Sequence, residues 1–259
     1  MTGQRGRWSQ SRWARPRGAQ PLIIGHRGAS AHAPENSLQA FARAAADGAD
    51  GVELDVLRCA SGEVVVFHDD DLARLGGRPE RIARLSLAQL RALRLTSGAT
   101  IPTLAEALEA CGPSLLVNVE LKASAVPWSE LRALVAAVAE VTDTAGTRER
   151  ILISSFHPYA VWAWQRRVPG VPAGLLFEAE GPVHLRRAWA LPLLRPFSAH
   201  PQDVLCEAAS LRRWHARGYR VAVWTVDAPA ELQRLAAAGA DALITNDPGA
   251  AQAALRAPS

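Results

Sequence analysis

The chain has 259 residues, 49% of them hydrophobic, with 29 basic and 25 acidic residues. This length and apolar content fit one folded domain of α/β-barrel size and exclude a disordered chain, since nearly half of the residues can be buried. No uninterrupted apolar run approaches the ~20 residues that a membrane span needs, and the first residues lack the apolar segment of a secretory signal.

The positive net charge comes from residues 1–20, which hold five arginines and no acid and leave 24 basic against 25 acidic residues in the rest. The basic isoelectric point therefore describes a tail, and we expect no nucleic-acid partner. Trp8 and Trp13 lie among these arginines, a mixture that could contact anionic surfaces, but no helical apolar stripe joins them. We predict a disordered, solvated tail over residues 1–20 without a membrane role, and one barrel domain over residues 21–259.

Cysteine is sparse, with Cys59, Cys111 and Cys206 and no C-x-x-C spacing. An odd count in this pattern disfavours a disulfide framework or a thiolate metal site and predicts a reducing, cytoplasmic location. The sequence carries no signal for an oligomeric state.

From Pro21 onward, short β-branched runs alternate with helical segments, which is typical of repeated βα units and a parallel sheet. The predicted parallel strands are Leu22–Gly25, Gly51–Val56, Leu115–Leu121, Ile151–Ser154, Ala173–Phe177, Phe197–Ala199, Arg220–Thr225 and Asp241–Ile244. Capping-box patterns predict helix starts at Asn36/Gln39, Ser86/Gln89 and Thr103/Glu106. Glycines predict helix ends at Gly48, Gly218 and Gly239. Eight strands with helices between them predict a TIM (β/α)₈ barrel.

A ninth extended segment, Val64–His68, follows the second strand too closely for a parallel crossover, which needs ~12 residues or more. We predict an antiparallel hairpin with a two-residue turn at Ser61-Gly62. In that register Asp55 lies opposite His68, so that Glu53, Asp55 and His68 project to one face.

Two predicted barrel strands contain acids among apolar residues. Glu53 and Asp55 lie two positions apart in GVELDV, and LLVNVELK places Asn118, Glu120 and Lys122 on one face. Buried carboxylates need a partner, and hard oxygen donors from two strands suit Mg²⁺ or Ca²⁺. The structural alternative is that Glu120 and Lys122 form an ion pair and that Glu53 and Asp55 cap backbone groups.

His26 ends the first strand and His68 ends the hairpin, each beside a charged neighbour and near the acids, which indicates acid–base chemistry. Arg27 offers a planar donor fork suited to a phosphate. Lys122 is the only lysine among the 29 basic residues, which indicates a specific need there, with chance as the alternative.

These residues lie in the stretch HRGASAHAPENSLQAFARAAADGADGVELDVLRCASGEVVVFHDDDL, which resembles the signature of glycerophosphodiester phosphodiesterases. The resemblance continues, in order, through IPTLAEAL, NVELK, ISSFHP, VAVWTVD and ALITNDP. It implies a barrel of the phosphatidylinositol-specific phospholipase C type, with a hairpin and a short insertion after strand 2. The implied activity is hydrolysis of a glycerol phosphodiester to glycerol 3-phosphate and an alcohol.

The resemblance also implies roles for residues. The acid–base pair falls on His26 and His68, one divalent cation (Mg²⁺ or Ca²⁺) on Glu53, Asp55 and Glu120, and phosphate-side cations on Arg27 and Lys122. Arg27 is also implied in catalysis, and Phe156 and Trp224 fall at substrate-binding positions. The pattern departs from the family at Ser37, at the hairpin tip and at Asp227, where Thr, Thr-x-Asp-Gly and Asn are usual.

In the mechanism so implied, one histidine takes a proton from the glycerol hydroxyl next to the ester and the other protonates the departing alcohol. Water then opens the resulting cyclic phosphate. Direct attack by metal-bound water is the competing mechanism. Two other functions compete: lysophospholipase D-like hydrolysis of single-chain lipids, with Trp162, Trp164 and Trp189 available for an apolar channel, and a catalytically inactive phosphate-binding module.

Overall fold

The computed structural model describes residues 8, 11–14, 16, 18–123, 127–180, 183–186 and 188–256, with the backbone alone at 184 and 185. In these residues no helix combines the length and the apolar character needed to cross a membrane.

Within the described chain, eight parallel strands close a barrel and a ninth, β3, forms an antiparallel hairpin with β2. The strands are Leu22–Gly25 (β1), Gly51–Arg58 (β2), Val64–Val66 (β3), Leu116–Leu121 (β4), Ile151–Ser155 (β5), Ala173–Phe177 (β6), Ser198–Pro201 (β7), Arg220–Val223 (β8) and Ala242–Thr245 (β9). The barrel runs in chain order from β1 through β2 and β4 to β9, which pairs with β1. The predicted (β/α)₈ architecture is confirmed, with strand ends that agree within two residues.

Helices follow the strands and cover the outside of the barrel. They are Leu38–Ala46 (α1), Ala73–Gly76 (α2), Leu87–Ala92 (α3), Leu104–Ala110 (α4), Trp128–Thr144 (α5), Pro158–Arg167 (α6), Val183–Arg186 (α7), Leu191–Leu194 (α8), Ala208–Ala216 (α9), Pro229–Ala237 (α10) and Pro248–Arg256 (α11). Short 3₁₀ turns lie at Ile82–Arg84 and Asp203–Leu205. The segment from β3 to β4 holds α2, α3 and α4, which is the insertion expected after the hairpin.

The capping boxes of α3 and α4 are present as predicted, at Ser86 and Thr103. The first predicted helix start is one residue off. Ser37 is the N-cap of α1 and its hydroxyl accepts from the Ala40 N–H, whereas Asn36 has left-handed backbone with φ 56°. Asn36 cannot cap the helix because its side chain is committed to the barrel interior, as described below.

The hairpin register differs from the prediction by one residue. Val56 pairs with Val66 and Arg58 with Val64, and the Phe67 N–H donates to the Asp55 carbonyl. Asp55 therefore lies opposite Phe67, not His68. The turn contains three residues because Gly62, at φ +106°, takes the last loop position, and its N–H donates to the Cys59 carbonyl.

Alternate residues of the barrel strands face opposite sides. Val52, Leu54 and Val56 of β2 belong to the apolar core between strands and helices, together with Phe41 of α1. Glu53 and Asp55 occupy the alternate positions, which point into the barrel. The barrel interior of β2 is thus acidic toward the carboxyl end of the strand.

The described part of the predicted tail is packed against the barrel, which contradicts the expectation of a solvated extension. Trp8 and Trp13 are each only 6% exposed. They join residues near the amino ends of the strands and inside the barrel, namely Leu22, Ile24, Leu116, Leu152, Phe197, Ala222, Ala242 and Ile244. The Trp13 indole donates to the Arg150 carbonyl at 2.9 Å.

The contacts of Arg12 explain why the net charge of this segment does not predict its packing against the barrel. Its guanidinium donates to the carbonyls of Pro113 at 2.8 Å and Ser114 at 2.7 Å. Its N–H donates to the Glu149 carbonyl. The amino-terminal end of the barrel therefore binds Arg12 through backbone oxygens, without an acidic partner. Trp8 and Trp13, which follow no helical pattern in the sequence, cover the apolar surface at this end.

Candidate active site

The predicted site residues lie together at the carboxyl ends of the strands, where barrel enzymes place their chemistry. His26 and Arg27 follow β1, His68 follows β3, and Lys122 follows β4. Phe156 and Trp224 follow β5 and β8, and the Phe156 and Trp224 rings meet edge to face with centroids 5.4 Å apart.

Three buried carboxylates form the centre of the site. Glu53, Asp55 and Glu120 each have an oxygen within 4.8 Å of the others. The sheet explains this closeness, because the parallel register of β2 and β4 places Asp55 beside Glu120. All three side chains are almost fully buried.

This carboxylate cluster has the properties of a cation site. The Oε1 atom of Glu53 is buried and has no hydrogen-bond partner. Burial raises the pKa of Glu53 well above its ordinary value, with the charge of Asp55 adding to it. Burial raises the pKa of Glu120 to about 7 against the opposing charge of Lys122. Carboxylates that repel one another, with one oxygen that has no partner, fit a hard divalent cation.

The structural alternative for these acids is present as well, since each has protein partners. Lys122 Nζ lies 2.9 Å from Glu120 Oε1 and 3.5 Å from Asp55 Oδ1. Glu53 Oε2 accepts the Arg27 N–H at 3.0 Å. Burial opposes the charged form of Lys122, but Glu120 and Asp55 raise its pKa. These contacts leave Glu53 Oε1 free, so the ion pair and a cation can share the cluster.

The loop after β1 carries residues that hold the acids in place. Arg27 and Asn36 both have φ 56°, a left-handed conformation that is uncommon outside glycine. Asn36 binds Asp55 twice: its Nδ2 donates to Asp55 Oδ2 at 2.8 Å, and its Oδ1 accepts the Asp55 N–H at 3.2 Å. Gly28 has φ +83°, and a Cβ there would lie 2.6 Å from Ala40, so only glycine fits.

Each histidine binds a different partner through Nδ1. His26 Nδ1 lies 2.8 Å from the amide oxygen of Asn246, and His68 Nδ1 lies 2.6 Å from Asp69 Oδ1. Burial lowers the pKa of both histidines. His68 reaches the site despite the shifted register because β3 ends at Val66 and the chain bends beyond it.

Arg74 of α2 connects the two sides of the site. Its guanidinium donates to both oxygens of Glu35 and to Asp69, at 2.7 to 2.8 Å. Glu35 in turn accepts from Arg27 at 2.8 Å. Burial alone would raise the pKa of Glu35, but hydrogen bonds from Arg74 and the charge of Arg27 lower it to about 2.

Sequence reasoning missed these supporting residues. The sequence pattern predicts a helix cap at Asn36 and indicates no role for Asp69, Asn246 or Arg74. The available signal was their position: Asp69 directly follows His68, and Asn246 follows the last strand in the ITNDP motif. Their roles depend on how loops fold over the barrel end, and no periodic pattern reports that.

Comparison with known proteins agrees with this geometry. The family model of the glycerophosphoryl diester phosphodiesterase family matches residues 26–250. A glycerophosphodiester phosphodiesterase of Caldanaerobacter subterraneus subsp. tengcongensis is 32% identical over 88% of this chain and 94% of its own.

Two solved structures share the fold. The glycerophosphodiester phosphodiesterase of Thermotoga maritima is 31% identical, with a TM-score of 0.74 over 91% of this chain and 98% of its own. A phosphodiesterase of Oleispira antarctica, solved with the product sn-glycerol-3-phosphate, is 28% identical, with a TM-score of 0.82 over 92% and 98%. The chain therefore belongs to the glycerophosphodiester phosphodiesterase family of enzymes.

Proposed function

We propose that this enzyme hydrolyses glycerophosphodiesters to glycerol 3-phosphate and an alcohol, with one Mg²⁺ or Ca²⁺ held by Glu53, Asp55 and Glu120. The observation that carries the proposal is the buried cluster of three carboxylates between two histidines and two cations. The product bound to the Oleispira antarctica relative supports the choice of substrate.

The charged residues have separate tasks in this proposal. A divalent cation bound by the three acids would stabilise the negative charge that develops on the phosphate. Arg27 and Lys122 would bind phosphate oxygens, Arg27 through its planar fork and Lys122 as a compact charge. Phe156 and Trp224, at the adjacent rim, would border the substrate with apolar surface.

The partners of the histidines support an assignment of roles. Burial lowers the pKa of His68, but the Asp69 carboxylate opposes this shift by stabilising the charged ring, which suits the general acid. Burial and the adjacent charge of Arg27 lower the pKa of His26, and Asn246 offers the ring only a neutral oxygen, so that His26 suits the general base. Both rings then direct Nε2 at the substrate.

The proton path follows from these roles. His26 removes the proton of the glycerol hydroxyl next to the ester, and that oxygen bonds to phosphorus. The bond from phosphorus to the alcohol oxygen breaks as His68 donates its proton to that oxygen. Water then attacks the cyclic phosphate with the roles reversed, and the ring P–O bond breaks to give glycerol 3-phosphate.

Lysolipid hydrolysis is the second candidate function, and a group of exposed aromatic side chains is the observation that favours it. Trp162 is 46% exposed and stacks on Tyr159, whose ring also contacts the exposed Trp128. Trp164, in contrast, is fully buried in the core and cannot line a channel. Trp189 is exposed on the segment before α8.

The compartment stays a prediction from the cysteine pattern. Cys59, Cys111 and Cys206 are buried and unpaired. Burial raises the pKa of Cys111 and Cys206 to about 12, so these thiols are unreactive packing residues. The proposed partner is a small-molecule glycerophosphodiester, and no nucleic-acid partner is proposed.

Product analysis tests the proposed function. The full chain is incubated with glycerophosphocholine, glycerophosphoethanolamine and a lysolipid, with Mg²⁺ or Ca²⁺. We expect glycerol 3-phosphate from the first two substrates. Turnover of the lysolipid alone would replace the proposal by its lipid alternative, and turnover of none would leave only a binding module.

Leaving-group dependence tests the roles of the histidines. His26→Ala and His68→Ala should each lower kcat by ~10²–10⁴-fold on natural diesters. A p-nitrophenyl ester needs little protonation of its leaving oxygen, so it should rescue His68→Ala and leave His26→Ala slow. Rescue of His26→Ala instead would reverse the assignment.

A further inference from the structure

The peptide group between Leu121 and Lys122 is held from both sides at the carboxyl end of β4. Its N–H, on Lys122, donates to the Val56 carbonyl of β2 at 3.2 Å. Its carbonyl, on Leu121, accepts from the Ser155 hydroxyl of β5 at 2.9 Å. The two neighbouring strands therefore fix the plane of the peptide from which the Lys122 side chain leaves.

The Ser155 hydroxyl extends the contact between β4 and β5 by one residue. Residue pairing between these strands ends at Glu120 and Ser154, one position before Leu121 and Ser155. Ser155 is fully buried, and its side chain rather than its backbone donates to the Leu121 carbonyl. The position of Lys122 thus depends on a side chain that the regular sheet does not require.

The same hydroxyl also binds the turn that carries Phe156. The His157 N–H donates to Ser155 Oγ at 3.1 Å, so Phe156 lies between the two residues of this hydrogen bond. A hydroxyl can donate and accept at the same time, and Ser155 does both. One side chain therefore joins Lys122, the residue after β4, to Phe156, the residue after β5.

We propose that Ser155 is a positioning residue that holds Lys122 and Phe156 in place for the substrate. The inference rests on the proposed function in that both residues bind the substrate there. Ser155 acts only through the backbone of its neighbours. Removal of its hydroxyl would leave the Leu121 carbonyl and the His157 N–H without this partner.

The position of Lys122 matters because short contacts place its ammonium group. Lys122 Nζ lies 2.9 Å from Glu120 Oε1 and 3.5 Å from Asp55 Oδ1. A rotation of the peptide before Lys122 would move the whole side chain, and a displacement of about 1 Å can lower a rate by ~10²-fold. A change at Ser155 should therefore be detected at Lys122 directly.

The test is NMR of the full chain with ¹³C-labelled lysine and Mg²⁺. Lys122 is the only lysine of the sequence, so every labelled signal belongs to this residue. The wild type is compared with Ser155→Ala and with the control Thr142→Val. Thr142 is also fully buried, and its hydroxyl donates to the Ala139 carbonyl at 3.0 Å, but it lies near the end of α5, at the opposite end of the barrel from the site.

We expect two separate ¹Hε signals of Lys122 in the wild type, because two carboxylates hold its ammonium group. In Ser155→Ala the two signals should move toward one another, as in a mobile side chain. The kcat/KM for glycerophosphocholine should fall at least ~10-fold. Thr142→Val should keep the wild-type lysine signals and the wild-type kcat/KM, although it too loses a buried hydroxyl.

Wild-type lysine signals or an unchanged kcat/KM in Ser155→Ala, or the same changes in Thr142→Val, would each overturn the inference. If Ser155→Ala fails to fold, hydrogen exchange of the wild type decides. The His157 N–H should be protected by Ser155 Oγ, and exchange at the rate of an exposed amide would overturn the inference. The lysine spectrum separates this inference from the proposed function, because it reports the order of Lys122 whether or not the enzyme turns over a glycerophosphodiester.

Discussion

Asn36 illustrates how the site depends on residues that do no chemistry themselves. It occupies a left-handed conformation, leaves the capping of α1 to Ser37, and gives both ends of its amide to Asp55. Asp55 is 1% exposed, and without Asn36 its carboxylate would be held, within the described residues, only by the longer contacts with Arg27 at 3.3 Å and Lys122 at 3.5 Å. The loop after β1 therefore helps to orient Asp55, one of the three proposed cation ligands.

The first prediction removes this support. Asn36→Gly deletes the side chain while keeping a residue that adopts φ 56° without strain. Metal affinity of the chelated protein, measured by titration calorimetry, should fall by ~10–100-fold, as is typical when the partner of a ligand is lost. Ser37→Gly is the control, because it removes the cap of α1 and a hydrogen bond to the Pro34 carbonyl but no contact with Asp55, and glycine replaces an N-cap serine at little cost. Equal affinities in all three proteins would contradict the proposed role of Asn36.

His200 is a second residue whose burial has a measurable consequence. Its side chain is buried inside the barrel beside Ser198, 2.8 Å from the Ser198 hydroxyl. Burial lowers the pKa of His200 to about 3. A free histidine titrates near 6.5, so between these values the unfolded chain binds a proton that the folded chain does not. Stability must therefore rise with pH across this window and be lost as pH falls through it.

The second prediction compares this dependence in the wild type and in His200→Gln. The free energy of unfolding, from urea titrations at about pH 6, 5 and 4, should fall less steeply in the variant, by up to ~1.4 kcal/mol per pH unit. The reason is that glutamine has no proton to gain on unfolding. Parallel pH profiles of the two proteins would show that His200 titrates normally in the folded state.

At the scale of elements, the hairpin shows where prediction from the sequence stopped. The pattern GVELDV was enough to predict a buried strand with two acids on one face, and the short spacing was enough to predict the hairpin. The predicted register is wrong by one residue, because the loop contains Ala60 as well as Ser61 and Gly62. Loop length depends on the positive φ of Gly62, and the letters Ser-Gly are compatible with either turn.

The insertion after the hairpin supplies a further structural element of the site. Through Arg74, α2 binds Glu35 and Asp69, the carboxylates that contact Arg27 and His68. The ion pairs are partly exposed and contribute little to stability. Their importance is geometric, since Arg27 and His68 belong to different loops.

The third prediction concerns the bridge that Arg74 forms between Glu35 and Asp69. Arg74→Gln should lower kcat/KM at least ~10-fold, because small displacements of catalytic groups are costly, while the melting temperature stays almost unchanged. The control is Arg81→Gln, which removes another arginine of the same insertion. Arg81 pairs with Asp70 and contacts neither Glu35 nor Asp69, so this substitution should leave kcat/KM unchanged. If both variants lose the same activity, the bridge has no special role.

At the scale of the whole molecule, the barrel was predictable because eight β-branched runs and their helices are local patterns. The position of the amino-terminal segment was not, because its side-chain hydrogen bonds to the barrel are with residues more than a hundred positions away. Composition described residues 1–20 as charged and aperiodic, and that description is correct. The burial of Trp8 and Trp13 depends on the apolar surface at the amino ends of the strands. This surface forms only when the strands close into a barrel.

The fourth prediction tests the packing of this segment. Trp13→Ala should destabilise the protein by ~3 kcal/mol or more, as for other buried tryptophans, and lower Tm by about 5 °C or more. The kcat should not change, because the site lies at the opposite end of the barrel. Trp189→Ala is the control, since Trp189 is 56% exposed. An unchanged Tm in Trp13→Ala would contradict this packing and support the solvated segment that the sequence predicts.

In the proposed function, the buried carboxylates bind a divalent cation that hydrolysis requires. The direct measurement is a phosphorus NMR time course of glycerophosphocholine with the chelated enzyme, with the enzyme reloaded with Mg²⁺ or Ca²⁺, and with Glu53→Gln in the presence of metal. We predict that the glycerol 3-phosphate resonance grows only in the reloaded wild type, because Glu53→Gln removes the charge beside the partnerless Oε1 atom. Undiminished turnover after exhaustive chelation, or wild-type turnover by Glu53→Gln, would contradict the claim.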